Sequence, residues 1–282
     1  MRTALSVFAL LGIMSSAQAA VDIETALNKA RAACSGISEE LNTMKTMAGV
    51  GTAVSAVGTV AGGVALGAGI AKAKLELECV PCPPDEDICI QSCVELGSDA
   101  DKKSETLGNI RTGTLAATTA TNIAGAAVGG VNMKKARGSL SEQVSECLAS
   151  VKELSAAYGQ ARISRTASEE DLGRIETIVR VCDEWSTVDL SKIDNRATGA
   201  FASSVVGAAT GAAGTITSAL SNTDEMRMAN NQKEKNLNTA SNVLAGTATV
   251  ASGVATIFNA TQISVIKRAS TVADACEGAL KY

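Results

Sequence analysis

Eight cysteines and a few crowded carboxylates are the residues of this chain whose type and spacing suggest chemistry, and histidine is absent altogether. Without imidazole the chain lacks the commonest general base and metal ligand, and it cannot form a Ser-His or Cys-His nucleophile pair. Four cysteines fall close together, Cys79 and Cys82 in a C-x2-C spacing and Cys89 and Cys93 in a C-x3-C spacing. Four thiolates so spaced could converge tetrahedrally on zinc. In an oxidising compartment the expectation is instead two nested disulfides, Cys79 with Cys93 and Cys82 with Cys89. The C-x-x-C of a redox protein has the same spacing, but no alternating strand and helix pattern surrounds it here.

Asp85, Glu86 and Asp87 crowd the same stretch without the alternating ligand spacing of a calcium loop, so they read as a solvated acidic turn. Glu39 with Glu40, and Glu169 with Glu170, are consecutive and on a helix would not face each other as an acid/base pair. No catalytic residue, cofactor, metal or small-molecule substrate is therefore expected, and the reading is that the protein is not an enzyme. Nor is nucleic acid an expected partner, because the net charge is −4 and phosphate binding needs a basic surface.

The remaining cysteines, Cys34, Cys147, Cys182 and Cys276, each sit inside an apolar heptad stripe. Ile23, Ala30, Cys34, Ile37, Leu41 and Met44 form the first stripe, and Leu140, Val144, Cys147, Val151, Leu154 and Tyr158 the second. Leu172, Ile175, Val179 and Cys182 form the third, and Ile266, Ala269, Ala273, Cys276 and Leu280 the fourth. Asp22, a capping box of Ser139 with Glu142, and Ser168 ahead of three acidic residues are the expected helix starts. Trp185, one turn past Cys182, reads as a core or groove filler.

Between these lie four charge-free segments, Met47 to Ala71, Thr112 to Met133, Ala197 to Asn222 and Asn236 to Ile266. Gly58, Gly62, Gly63, Gly67, Gly125, Gly129, Gly207, Gly211, Gly246 and Gly253 are the expected helix-packing positions. Glycine costs roughly 1 kcal/mol of helix propensity per residue, so repeating it makes sense only where another backbone approaches closely. These hairpins resemble glycine-zipper segments at the level of the motif. Aromatic residues make up only 2% of the chain, so packing must rely on small side chains rather than rings.

All three prolines, Pro81, Pro83 and Pro84, lie in one turn, leaving long helices permitted on both sides. The fold class that follows is all-α: two long antiparallel helical hairpins, packed as an elongated bundle. A gapless shift of 129 residues brings Leu115 onto Leu244 and Cys147 onto Cys276, while shifts of 148 and 149 align Cys34 with Cys182 and Gly58 with Gly207. An internal duplication is the expectation from these matches. Residues 1–19 read as a signal peptide ending in Ala17-Gln18-Ala19, 20–158 as the first hairpin with its cysteine-rich turn at 79–93, 159–167 as a connection and 168–282 as the second hairpin.

In a bundle so connected two pairings are open, Cys34 with Cys147 and Cys182 with Cys276, or Cys147 with Cys182 and Cys34 with Cys276. The repeat tips the balance to the first; spacing alone leaves the connectivity open. The function expected is that of an exported, non-enzymatic cell-envelope protein, structural or interaction-mediating, resident in periplasm, outer membrane or medium, with a protein partner or self-association. The alternative is a membrane-inserting or pore-forming protein. The uncharged segments are long enough to span a bilayer, but scarce Leu and Ile make them marginal spans that a translocon would pass through.

Overall fold

The computed structural model describes residues 23–78, 87–165, 167–223 and 231–281. The signal peptide and the Asp22 cap lie outside what it describes, as do the side chains on which the nested disulfides of Cys79, Cys82, Cys89 and Cys93 and the acidic triplet depend. Among the described residues seven α-helices follow in order: α1 (23–34), α2 (Ile37–Glu78), α3 (Asp87–Arg137), α4 (Ser139–Ser164), α5 (Glu169–Asp183), α6 (Leu190–Ser221) and α7 (Asn231–Lys281). Among the described residues there is no strand, and the chain is an all-α helical bundle.

The helices end where local chemistry dictates. Gly36 at φ +86° divides α1 from α2, in the left-handed region that a side chain disfavours. Arg165 closes α4 in the same region at φ 52°, its N–H donating to the Ala161 carbonyl. Ser168 caps α5 as expected, its Oγ accepting from the Asp171 N–H at 3.1 Å. The Ser139–Glu142 capping box does not form. Gly138 holds the N-cap position of α4, one residue after α3 ends, and the Ser139 hydroxyl donates to Glu40 instead. Because α4 runs on to Ser164, the connection between hairpins shortens to the residues around Arg165–Ser168. At the start of α6 the hydrogen bond from Ser191, aided by Lys192, holds the Asp189 carboxyl below its ordinary range.

Two compact units emerge, and each draws on both hairpins. One, the cysteine unit, comprises Met1–Met47, Asn132–Asn195 and Thr261–Tyr282. Its interior is conventional: Leu41, Met44, Leu140, Leu154, Ile178, Ile193 and Ile266 are fully buried around the four heptad cysteines, and Trp185 fills the same core. Its surface is charged, with ion pairs Lys29–Glu153 and Arg137–Asp194 at 2.6 and 2.7 Å. The other, the glycine unit, comprises Ala48–Val131 and Arg196–Ala260 and is built from segments of α2, α3, α6 and α7.

Candidate functional site: the interior of the glycine unit

Each helix of the glycine unit packs antiparallel against two neighbours, as the glycine contacts show. A Cβ placed on Gly58 would meet Thr121 of α3, on Gly62 Thr249 of α7, on Gly125 Ser204 of α6, and on Gly129 the backbone of Phe201, each at 3.0 Å or closer. Gly207 faces Asn122 and Gly211 faces Thr119 just as closely. These six of the expected packing positions admit a neighbouring helix where a side chain would exclude it. The other four do not. Gly63, Gly67, Gly246 and Gly253 meet nothing within 4 Å. The inward positions beside them are taken by Gly62, Ala245 and Ser252, so the G-x-x-x-G of Gly63 and Gly67 points outward. Gly108, against Asn222, and Gly199, against the Phe258 ring, are close contacts at glycines not among the expected packing positions.

What fills this interior is a mixture of small side chains, alanines such as Ala200, Ala248 and Ala255 together with polar residues. Ser55, Thr118, Asn122, Ser204, Ser252 and Asn259 are each at most 1% exposed. Ser252 donates to the Asn122 side-chain oxygen at 3.1 Å, while the Ser55 and Ser204 hydroxyls and both polar atoms of the Asn259 amide have no hydrogen-bond partner within the protein. Farther along, Arg111 is wholly buried, its guanidinium donating to Ser218 and Asn238 at 2.9 Å and to Ser221 at 3.0 Å. Lys72 is 1% exposed and reaches Asn222 at 3.2 Å and Glu234 at 3.5 Å. Both cations stand immediately outside the charge-free segments Met47 to Ala71 and Thr112 to Met133. The available signal was the heptad itself: Gly58 and Ala65 lead in sevens to Lys72, and Gly125 and Thr118 lead back in sevens to Arg111.

One layer of this interior holds a large aliphatic side chain. Ala65 of α2, Leu115 of α3 and Ala245 of α7 form a fully buried cluster, and the Leu115 methyls lie 3.5 Å from where a Gly214 Cβ would stand on α6.

The exterior is the reverse. Among the described residues every exposed large aliphatic except Ile163 belongs to the glycine unit, including Val60 at 69%, Val250 at 67%, Val243 and Ile257 at 63% and Ile216 at 61%. On α2 they run from Val50 to Ile70, about 30 Å of helix at 1.5 Å per residue. By length and composition, three helical stretches, within 23–75, 169–221 and 233–281, are apolar enough to cross a membrane.

The cysteine unit offers a different cluster. Cys34 and Cys147 stand at disulfide distance, as do Cys182 and Cys276, with Cα separations of 4.6 and 4.7 Å; of the two pairings open from sequence this is the one that bridges each hairpin. The sulfurs of Cys34, Cys147 and Cys276 all lie within 4.8 Å of one another. Oxidised, they have no thiolate to offer a metal, which is the form an oxidising, exported environment supports. Glu39, Glu169 and Glu170 are exposed, and Glu40 is tied to Lys135 at 3.4 Å.

No protein-family model matches the chain, and comparison with curated proteins and with solved structures returned no match.

Proposed function

We propose that this is an exported, non-enzymatic protein that seats its glycine unit in a lipid bilayer. The observation that carries the reading is the inverted polarity of that unit: alanine, serine, threonine, asparagine and two cations inside, valine and isoleucine outside. In water each half-exposed aliphatic forgoes about 1 kcal/mol of burial, whereas lipid tails cover it without further structure. The exposed belt matches the roughly 30 Å hydrocarbon thickness. The charges bounding it agree, since the segment of α3 is free of charge from Thr112 to Met133 and that of α2 from Thr46 to Ala71. The cysteine unit, with charged surface and crosslinked core, fits the aqueous side.

This favours the membrane-inserting alternative over a purely soluble envelope role. Scarce leucine still argues against stepwise arrest in a translocon, so insertion as an assembled bundle after export fits the sequence better. Flotation tests it. Purified full chain mixed with phosphatidylethanolamine/phosphatidylglycerol vesicles will rise with them through a density gradient and resist extraction at alkaline pH. Monodisperse protein left at the bottom of the gradient would reject the reading.

A further inference from the structure

We propose that the interior of the glycine unit is a closed conduit for water and small inorganic ions, and that the layer of Leu115, Ala65 and Ala245 is its gate. The inference rests on the membrane reading above and adds to it a path and the residue that shuts it.

Three observations carry it. First, the polar side chains are not scattered. Asn259, Ser204 with Ser55, and Asn122 with Ser252 follow one another along the helices on one side of the Leu115 layer, and Arg111 with Ser218 and Asn238 on the other. Both Ser204 and Ser55 lie against Gly125, so residues of three helices converge at one level. Second, part of this lining is left wanting. The hydroxyls of Ser55 and Ser204 and the whole amide of Asn259 are buried and have no partner in the protein. Alanine in place of Ser55 or Ser204 would fill nearly the same space and leave nothing unsatisfied, so the interior is costly as a dry seam and well suited to hydrating a passing file of water. Third, the bulk of the interruption is one side chain. Buried alanines such as Ala248 and Ala255 also face the interior but add only a methyl each, whereas Leu115 is the one large aliphatic there, set among Ala65, Ala245 and the bare backbone of Gly214. An apolar constriction only one side chain deep closes a polar path by excluding water rather than by a rigid plug.

The gate makes the claim testable without knowing what opens it. Replacing Leu115 by serine removes the isobutyl group and puts a hydroxyl in line with the polar groups on both sides. Full-length protein with intact disulfides is placed in phosphatidylethanolamine/phosphatidylglycerol vesicles loaded with potassium chloride and calcein, and flotation is scored on the same samples. Leu115→Ser is expected to raise potassium chloride efflux at least ten-fold over the parent while calcein stays inside, and Leu115→Ile to match the parent. If Leu115→Ser loses its helical circular dichroism, the double variant Ala65→Ser/Ala245→Ser, which adds one oxygen at each site, carries the same expectation. Floating protein whose serine variants are as tight as the parent overturns the conduit and leaves the membrane reading standing, and calcein escaping along with the salt overturns it as simple rupture. Protein that does not float defeats the membrane reading itself, and the conduit with it.

Discussion

A glycine in a helix is a cost until something approaches it, and the glycines here divide on that criterion. At Gly129 a Cβ would sit 3.0 Å from the backbone N and Cα of Phe201, atoms that cannot rotate away. Gly129→Ala is therefore expected to destabilise the glycine unit by about 1–3 kcal/mol, the usual range for overpacking, read from denaturant midpoints in detergent. At Gly63 nothing lies within 4 Å, so Gly63→Ala should raise stability by up to about 1 kcal/mol through propensity alone. Equal effects at the two sites would contradict the packing described. Sequence spacing named both residues, but on different grounds: Gly129 lies four residues from Gly125, whereas Gly63 entered only through its G-x-x-x-G match with Gly67, while the neighbouring Gly62 falls in sevens with Ser55 and Gly69. The same heptad pattern, followed one step further, reaches Lys72 and Arg111. Their charge suggested a boundary, whereas their register put them inside.

At the scale of elements, the long helices and the start of α5 were legible because each has a local cause, prolines confined to one stretch and Ser168 before α5; the break at Gly36 was not, since the apolar stripe from Ile23 to Met44 runs straight across it. The failed capping box at Ser139 shows where local reading stops, since its hydroxyl is claimed by Glu40 from α2, far away in sequence. The crosslinks tie elements together across separations of 113 and 94 residues. Closing loops of that length restricts the unfolded chain, and removing one bridge as Cys34→Ser/Cys147→Ser should lower the stability of the cysteine unit by about 2–5 kcal/mol. Proximity of the sulfurs adds a sharper expectation. In Cys34→Ala the freed Cys147 thiolate lies within 4.8 Å of the Cys276 sulfur, close enough to attack it and release Cys182 as a thiolate. Peptide mapping without reduction, after incubation at mildly alkaline pH, should then show Cys147 joined to Cys276. Persistence of Cys182–Cys276 alone would mean that the buried sulfurs are too constrained to exchange.

At the scale of the molecule, two units that share four of their helices obey opposite rules. In the cysteine unit leucine, isoleucine and Trp185 are inside and charge is outside; in the glycine unit small polar groups are inside and aliphatics outside. Composition and heptads announced an all-α bundle, but not this inversion, because valine and alanine distributed around a helix look alike whichever face is covered. The contrast predicts where a membrane would sit. Trp185 is the only tryptophan and is 2% exposed in the core of the cysteine unit, so lipids carrying bromine on their acyl chains should leave its fluorescence unchanged. Val250 is 67% exposed on the glycine unit, and a Val250→Trp variant should gain a second emission that the same lipids quench strongly. Depth follows from the pattern too: bromines near the acyl-chain ends should quench a tryptophan at 250 more than those near the headgroups, since Val250 lies between the exposed Val243 and Ile257 on the same belt. Quenching of Trp185 in the parent would place the wrong unit in lipid, and an unquenched tryptophan at 250 would mean that the apolar belt is covered by protein rather than by a bilayer.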